Sequence, residues 1–197
     1  MESIFDFFSC KSWLILRERT FHSLINKLLL EKVKDGITWG AALEEIEHGS
    51  NSHDVFIVSQ AGDYIIVDNL NLEEEGAKLS KEISMGNEIV FNMAIDIWVP
   101  YMYTEIYSAQ TLIRRVEYEL NTEYSRVEIS EKGRKTQWED KIKYIPTSPI
   151  GYDDFFYPLY FMDSLGLEIK RMEKMINENV QVYQRSRIVS KLNKEAD

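Results

Sequence analysis

The chain has 197 residues, of which 44% are hydrophobic and 28% are charged, and its formal net charge is −10. This composition is globular and excludes the disordered, collagen-like and low-complexity classes. A single cysteine, Cys10, excludes an internal disulfide and a thiolate-only metal site, and we interpret it as a small buried residue.

The first fifty residues predict two helices. An apolar stripe at helical spacing marks the first helix, and Gly36 supplies the left-handed turn that would end it. The stripe comprises Phe21, Leu24, Ile25, Leu28 and Leu29. Thr38 is a suitable N-cap for the second helix. The apolar side of that helix comprises Trp39, Ala42, Leu43 and Ile46.

Six strands are predicted from residue 54 to residue 130, because β-branched and aromatic residues alternate there with polar ones. They span 54–60, 64–69, 88–98, 101–107, 111–120 and 124–130. One short helix interrupts them, with an apolar side of Leu72, Gly76, Leu79 and Ile83. Short turns join most of the strands, so neighbouring strands should be antiparallel.

The remaining chain is predicted to be helical. Thr136 and Glu139 have the spacing of a capping box that starts a short helix, and the aromatic segment 152–162 is expected to fill the core. A long C-terminal helix is predicted from one further apolar stripe. That stripe comprises Ile169, Met172, Ile176, Val180 and Tyr183.

These elements predict a single α+β domain over residues 1–197. A mainly antiparallel sheet of about six strands, with one inserted helix, occupies residues 54–130. Helices flank it on both sides, over residues 1–50 and over residues 136–195, where the long C-terminal helix lies.

Motifs that would indicate a reaction are missing from the sequence. There is no Gly-rich phosphate loop and no G-x-S-x-G nucleophile elbow. His48, His53 and Asp54 lie close together, but they lack helical spacing and a fourth ligand, so we interpret them as a polar loop. We therefore predict no catalytic residues, no metal site and no cofactor.

One charged residue is expected in the core. Alternation along the 111–120 strand places Arg114 between apolar side chains, and a buried charge must be paired. We predict a structural ion pair between Arg114 and Asp96, with Glu105 as the alternative partner. Binding of a substrate carboxylate by Arg114 is a second interpretation.

Acidic residues are concentrated in one part of the chain. Residues 51–100 carry a net charge of −7, whereas residues 101–150 are balanced. Such a surface repels nucleic acids and anionic membranes and attracts a basic partner. The predicted partner-binding residues are Glu73, Glu74, Glu75, Asp63 and Asp68. The structural alternatives are helix capping by the glutamates and a general contribution to solubility.

The order of several features resembles the small α+β immunity proteins of bacterial toxin systems, over about residues 38–140. The features are Trp39 and Leu43 on a helix, a hairpin from Gly62-Asp63-Tyr64 into Val67-Asp68, Leu79-Ser80-Lys81 at a helix end, a strand through Phe91, and Leu112-Ile113-Arg114 in a late strand. The resemblance implies a protein without catalytic residues that binds and blocks a toxin.

From these observations we expect a non-catalytic acidic binding protein that blocks a basic partner, with no nucleic acid or membrane as partner. Two alternatives stay open. One is an enzyme with a pocket of Asp, Glu, Tyr and Arg residues, and the other is a regulatory subunit that forms a homodimer through its C-terminal helix. The sequence has neither a signal-peptide pattern nor a long apolar run, which predicts a cytoplasmic location.

Overall fold

The computed structural model describes residues 8–48, 54–69, 72–121, 126–143, 152–168, 174 and 179–186. The strands are β1 (Cys10–Leu16), β2 (Leu30–Thr38), β3 (Val55–Ala61), β4 (Tyr64–Asp68), β5 (Ile89–Asp96), β6 (Tyr101–Ser108), β7 (Thr111–Asn121), β8 (Arg126–Lys132) and β9 (Asn179–Arg185). The helices within this part of the chain are α1 (Glu18–Leu28), α2 (Trp39–His48), α3 (Leu72–Ile83) and α4 (Tyr157–Ser164).

The nine strands of the described residues belong to one antiparallel sheet, in the order β2-β9-β3-β4-β1-β5-β6-β7-β8. The α+β character and the antiparallel sheet are therefore confirmed. The predicted arrangement of about six strands with N-terminal helices and a long C-terminal helix is wrong. Strands β3 to β8 are the six that the sequence predicts, while β1, β2 and β9 are additional.

Strand β1 lies at the centre of the sheet, between β4 and β5. Its residues Trp13, Leu14, Ile15 and Leu16 are all fully buried, because both faces of the sheet are covered at this point. A strand that is buried on both faces shows no apolar–polar alternation, which explains why the sequence does not predict it.

Strand β2 is an edge strand where the sequence predicts a helix end. Helix α1 ends earlier, at Leu29, which takes the left-handed conformation with φ of 50°. Gly36, with φ of 77°, lies instead at one of two register shifts along β2. Thr38 caps α2 as predicted, since its Oγ1 accepts a hydrogen bond from Ala41 N at 3.2 Å.

Strand β9 lies between β2 and β3 and replaces the end of the predicted C-terminal helix. Val180 and Val182 are buried on one face of the sheet, and Tyr183 packs on the other face against Phe21. The rest of the predicted stripe, Ile169, Met172 and Ile176, lies outside the described residues.

Each face of the sheet carries its own hydrophobic core. Helix α2, α4 and the 3-10 turn Tyr152–Phe156 cover one face, and α1 and α3 cover the other. The aromatic segment fills the first core as predicted, because Phe155, Phe156, Tyr157 and Phe161 are buried there. Within the described part of the chain, no helix combines the length and the apolar character needed to cross a membrane.

Candidate functional site

A cleft of about 180 Å³ opens at one end of the central strands. The start of β1, the ends of β4 and β5 and the start of β6 meet there, because β1 runs antiparallel to both of its neighbours. Helix α3 begins beside the end of β4, where Leu72 N donates to Asn69 O at 3.1 Å. The lining residues are Cys10, Lys11, Ser12, Asp68, Asn69, Glu73, Ala94, Ile95, Asp96 and Tyr101.

Asp68 holds the floor of this cleft together. Its Oδ2 accepts hydrogen bonds from Lys11 Nζ at 3.3 Å and from Trp39 Nε1 at 3.2 Å. Asp68 is buried, and its two hydrogen bonds join β4 to β1 and to α2. This arrangement is typical of a structural residue.

Asp96 shapes the rim of the cleft. Its Oδ1 accepts hydrogen bonds from the backbone N–H groups of Trp98, at 2.8 Å, and of Val99, at 3.2 Å. The Cys10 thiol lies 3.8 Å from the same oxygen and is exposed, so the interpretation of Cys10 as a buried residue is wrong. The carboxylate thus fixes the turn that joins β5 to β6.

This turn presents two large apolar side chains to solvent. Trp98 is 83% exposed and Val99 is 71% exposed. Alternation predicts a strand that continues through Trp98, whereas β5 ends at Asp96, so the exposure of these two side chains is not predicted. The sequence does contain a signal for a turn here. An aspartate side chain can accept hydrogen bonds from the backbone N–H groups two and three residues further on, and Pro100 follows them.

The structure divides the predicted acidic face. Glu73 lines the cleft together with Asp68, and Glu74 is exposed beside it on α3. Glu75 is paired with Arg185 at 2.7 Å. Asp63 lies at the opposite end of β4, where it pairs with Arg17 at 3.0 Å. The structure therefore brings Glu73 and Asp68 together at the cleft, leaves Glu74 exposed outside the cleft lining, and places Asp63 apart from them.

Arg114 is buried and ion-paired as expected, but the predicted partner is wrong. The guanidinium contacts Glu139 through Nε, at 3.0 Å, and through Nη2, at 2.6 Å, and Nη2 also contacts Glu131 at 2.6 Å. Burial acts to lower the pKa of Arg114, but the hydrogen bonds that the guanidinium donates to these carboxylates, together with their negative charges, outweigh it and raise the pKa. Asp96 lies on the opposite face of the sheet, because its register partner on β6 is Tyr101, and Arg114 shares its face with Ile106.

The capping box explains why Glu139 reaches Arg114. Thr136 N donates to Glu139 Oε2 at 2.8 Å, as the spacing predicts, and Thr136 Oγ1 donates to the same oxygen at 3.1 Å. Arg114 contacts both oxygens of this carboxylate, since Oε1 accepts from Nε and Nη2 and Oε2 accepts from Nε at 3.1 Å. Gly133 allows the loop to approach this closely, since a Cβ there would lie 2.0 Å from Ile113 O.

Glu105, the alternative partner, belongs to a second polar cluster on the α3 face. It accepts hydrogen bonds from Asn92 Nδ2, at 2.8 Å, and Tyr107 OH, at 3.1 Å, and it pairs with Arg115. Arg115 also binds Glu117 through two nitrogens, at 2.7 and 3.1 Å. Each charged group of the cluster is thus bonded to other members, which is the pattern of a structural network.

Tyr103 lies between this cluster and the cleft. Burial raises the pKa of its hydroxyl to about 12, and the negative charges of Glu105 and Glu73 act in the same direction. The hydroxyl is therefore neutral at physiological pH.

No group of three or more His, Cys, Asp or Glu side chains is arranged to hold a metal among the described residues. His53 lies outside them, so the predicted polar loop is not described. Comparison with known proteins finds no matching family model, no matching curated protein and no matching solved structure.

Proposed function

We propose that this protein is a non-catalytic binding protein of the immunity type, which blocks a basic partner protein. The observation that carries the proposal is the juxtaposition of an acidic cleft with an exposed Trp98 on its rim. Tryptophan is enriched among the residues that dominate binding energy, and carboxylates beside it steer a basic surface into contact.

The distribution of charge supports a basic partner. Asp68, Glu73 and Asp96 line the cleft against a single cation, Lys11. Residues 51–100, which contribute these three side chains, carry −7 of the chain's net charge of −10. Long-range attraction of this kind acts mainly on the association rate and is screened beyond roughly 8–10 Å at physiological salt.

The test uses the product of the gene adjacent to the one that encodes this protein. If the proposal holds, that product is toxic to cells when expressed alone, and co-expression of this protein restores growth. Glu73→Lys should slow association by about fivefold at low salt, since reversing one charge about 8 Å from a partner cation changes the energy by about 1 kcal/mol in water.

The matched control is Glu44→Lys, an exposed position on α2 at the other face of the sheet that changes the net charge equally. Its association rate should stay close to that of the wild type. A harmless adjacent product, or equal slowing by both variants, would contradict the proposal.

A further inference from the structure

The Trp98 turn and the cleft also constrain the chemistry of the segment that binds there. We infer that the site takes a partner segment in which one Lys or Arg side chain neighbours a bulky apolar side chain. The inference rests on the proposed function, because it names the part of the basic partner that the cleft would receive.

The apolar half of the site is fixed before binding. Asp96 holds both N–H groups of the turn, and the pairing of β5 with β6 continues up to Asp96 and Tyr101. An aromatic side chain buries roughly 150–250 Å² when it is covered, and Trp98 leaves most of that surface in water. A side chain that packs on Trp98 therefore meets a turn whose backbone is already held in place.

The cleft beside the turn has the size for one side chain. Its volume of about 180 Å³ is below the roughly 300–1,000 Å³ of typical small-molecule sites. Asp96 and Tyr101 line it and also bracket the turn. A residue that enters the cleft and a residue that packs on Trp98 are thus neighbours in the partner.

The charge of the cleft selects a cation. Lys11 is engaged by Asp68, and Asp96 Oδ1 is engaged by the turn. Glu73 forms no ion pair with any residue that the structure describes, and its side chain is exposed at the cleft. An incoming ammonium or guanidinium would find a carboxylate there, whereas an anion would be repelled.

The experiment titrates the labelled protein with the capped dipeptide Ac-Leu-Lys-NHMe and follows amide and indole N–H chemical shifts by NMR. Saturable shifts are expected at the Trp98 indole and at the Glu73 amide. Replacing lysine by norleucine should weaken binding by about fivefold, the upper range for an exposed ion pair. Replacing leucine by serine should also weaken binding, because the apolar contact with Trp98 is lost. Equal binding of the norleucine peptide, shifts elsewhere or no saturable shift would overturn the inference.

Matched variants separate the two halves of the site. Glu73→Gln should weaken binding of the lysine dipeptide and leave binding of the norleucine dipeptide unchanged. The control is Glu74→Gln, at an exposed neighbouring position outside the cleft lining, which should alter the binding of neither dipeptide. Trp98→Ser removes the Trp98 indole signal and should weaken binding of both dipeptides, whereas Trp98→Phe should retain their binding.

The inference and the proposed function fail separately. Saturable dipeptide binding together with a harmless adjacent gene product would overturn the proposed function and leave the inferred site intact. Blocking of a toxic partner by a Trp98→Ser variant at the wild-type rate would overturn the inference and leave the proposed function intact.

Discussion

Replacement of Arg114 by methionine tests how much the buried ion pair between Arg114 and Glu139 contributes to the stability of the fold. The side chains of Arg114 and Glu139 are only 3% and 2% exposed. In Arg114→Met the Glu139 carboxylate keeps the two donors of Thr136 and the Tyr157 hydroxyl at 3.5 Å, but it loses its cation. Breaking a buried pair from one side costs about 3–5 kcal/mol.

A double replacement, Arg114→Met with Glu139→Met, should be more stable than the single one. It leaves no buried charge and loses the contacts with Thr136, which amount to about 1 kcal/mol for a helix cap. We therefore expect a total loss of about 1–2 kcal/mol, because buried ion pairs can often be replaced by hydrophobic residues at little cost.

The assay is urea unfolding at neutral pH, followed by tryptophan fluorescence, to which Trp138 contributes as the neighbour of Glu139. The control is Arg19→Met, because Arg19 is 86% exposed and its pair with Glu88 should contribute about 0–1 kcal/mol. The reasoning is refuted if Arg114→Met loses less than about 1 kcal/mol, or if the double variant is no more stable than the single one.

Two further predictions concern a helix contact and acid stability. Gly76→Ala should destabilise the protein by about 1–2 kcal/mol although alanine favours helix, because its Cβ would lie 2.6 Å from Oδ1 of the buried Asn92. The control is Gly40→Ala, whose Cβ would have no atom within 4 Å and which should stabilise the protein by up to about 1 kcal/mol in the same unfolding assay. A more stable Gly76→Ala than Gly40→Ala would contradict this prediction. The hydrogen bonds from Arg115 lower the pKa of Glu117 in the folded protein. The ionised Glu117 therefore stabilises the fold above about pH 4.3, and this contribution is lost as the pH falls through the folded-state pKa. The difference in unfolding free energy between wild type and Glu117→Gln should therefore shrink on acidification below about pH 4; equal shrinkage for the exposed Glu119→Gln would count against it.

The middle of the chain could be predicted from its sequence because short turns join all of its strands except β4 and β5, which the helix α3 connects. Alternation and turn residues locate β3 to β8, and the helical spacing from Leu72 to Ile83 locates α3. The three other strands pair with partners distant in sequence, so no local turn signal marks them. In β9, Val180 and Tyr183 also fit a helical stripe, and only the sheet decides between the two patterns.

The candidate site was predictable in part. The burial of Arg114 follows from strand alternation, but its partner does not, because Glu139 reaches it through a loop that folds back over the sheet. Glu73 is identified by its acidic cluster, whereas Asp63 is near Asp68 in sequence and distant along the strand. The role of Trp98 depends on where β5 ends, and the position of a strand end is set by tertiary pairing.

The position of β9 has a consequence for how the chain reaches its native state. Among the strands that the structure describes, β2 pairs only with β9, and the pairing of Leu30 with Arg185 joins residues separated by most of the sequence. During synthesis β2 leaves the ribosome early, and it stays unpaired until β9 has also been synthesised. Such a high contact order predicts slow folding. The charged residues of β2, among them Lys32, Lys34 and Asp35, protect the unpaired strand, because charges on an exposed strand oppose its pairing with strands of other molecules.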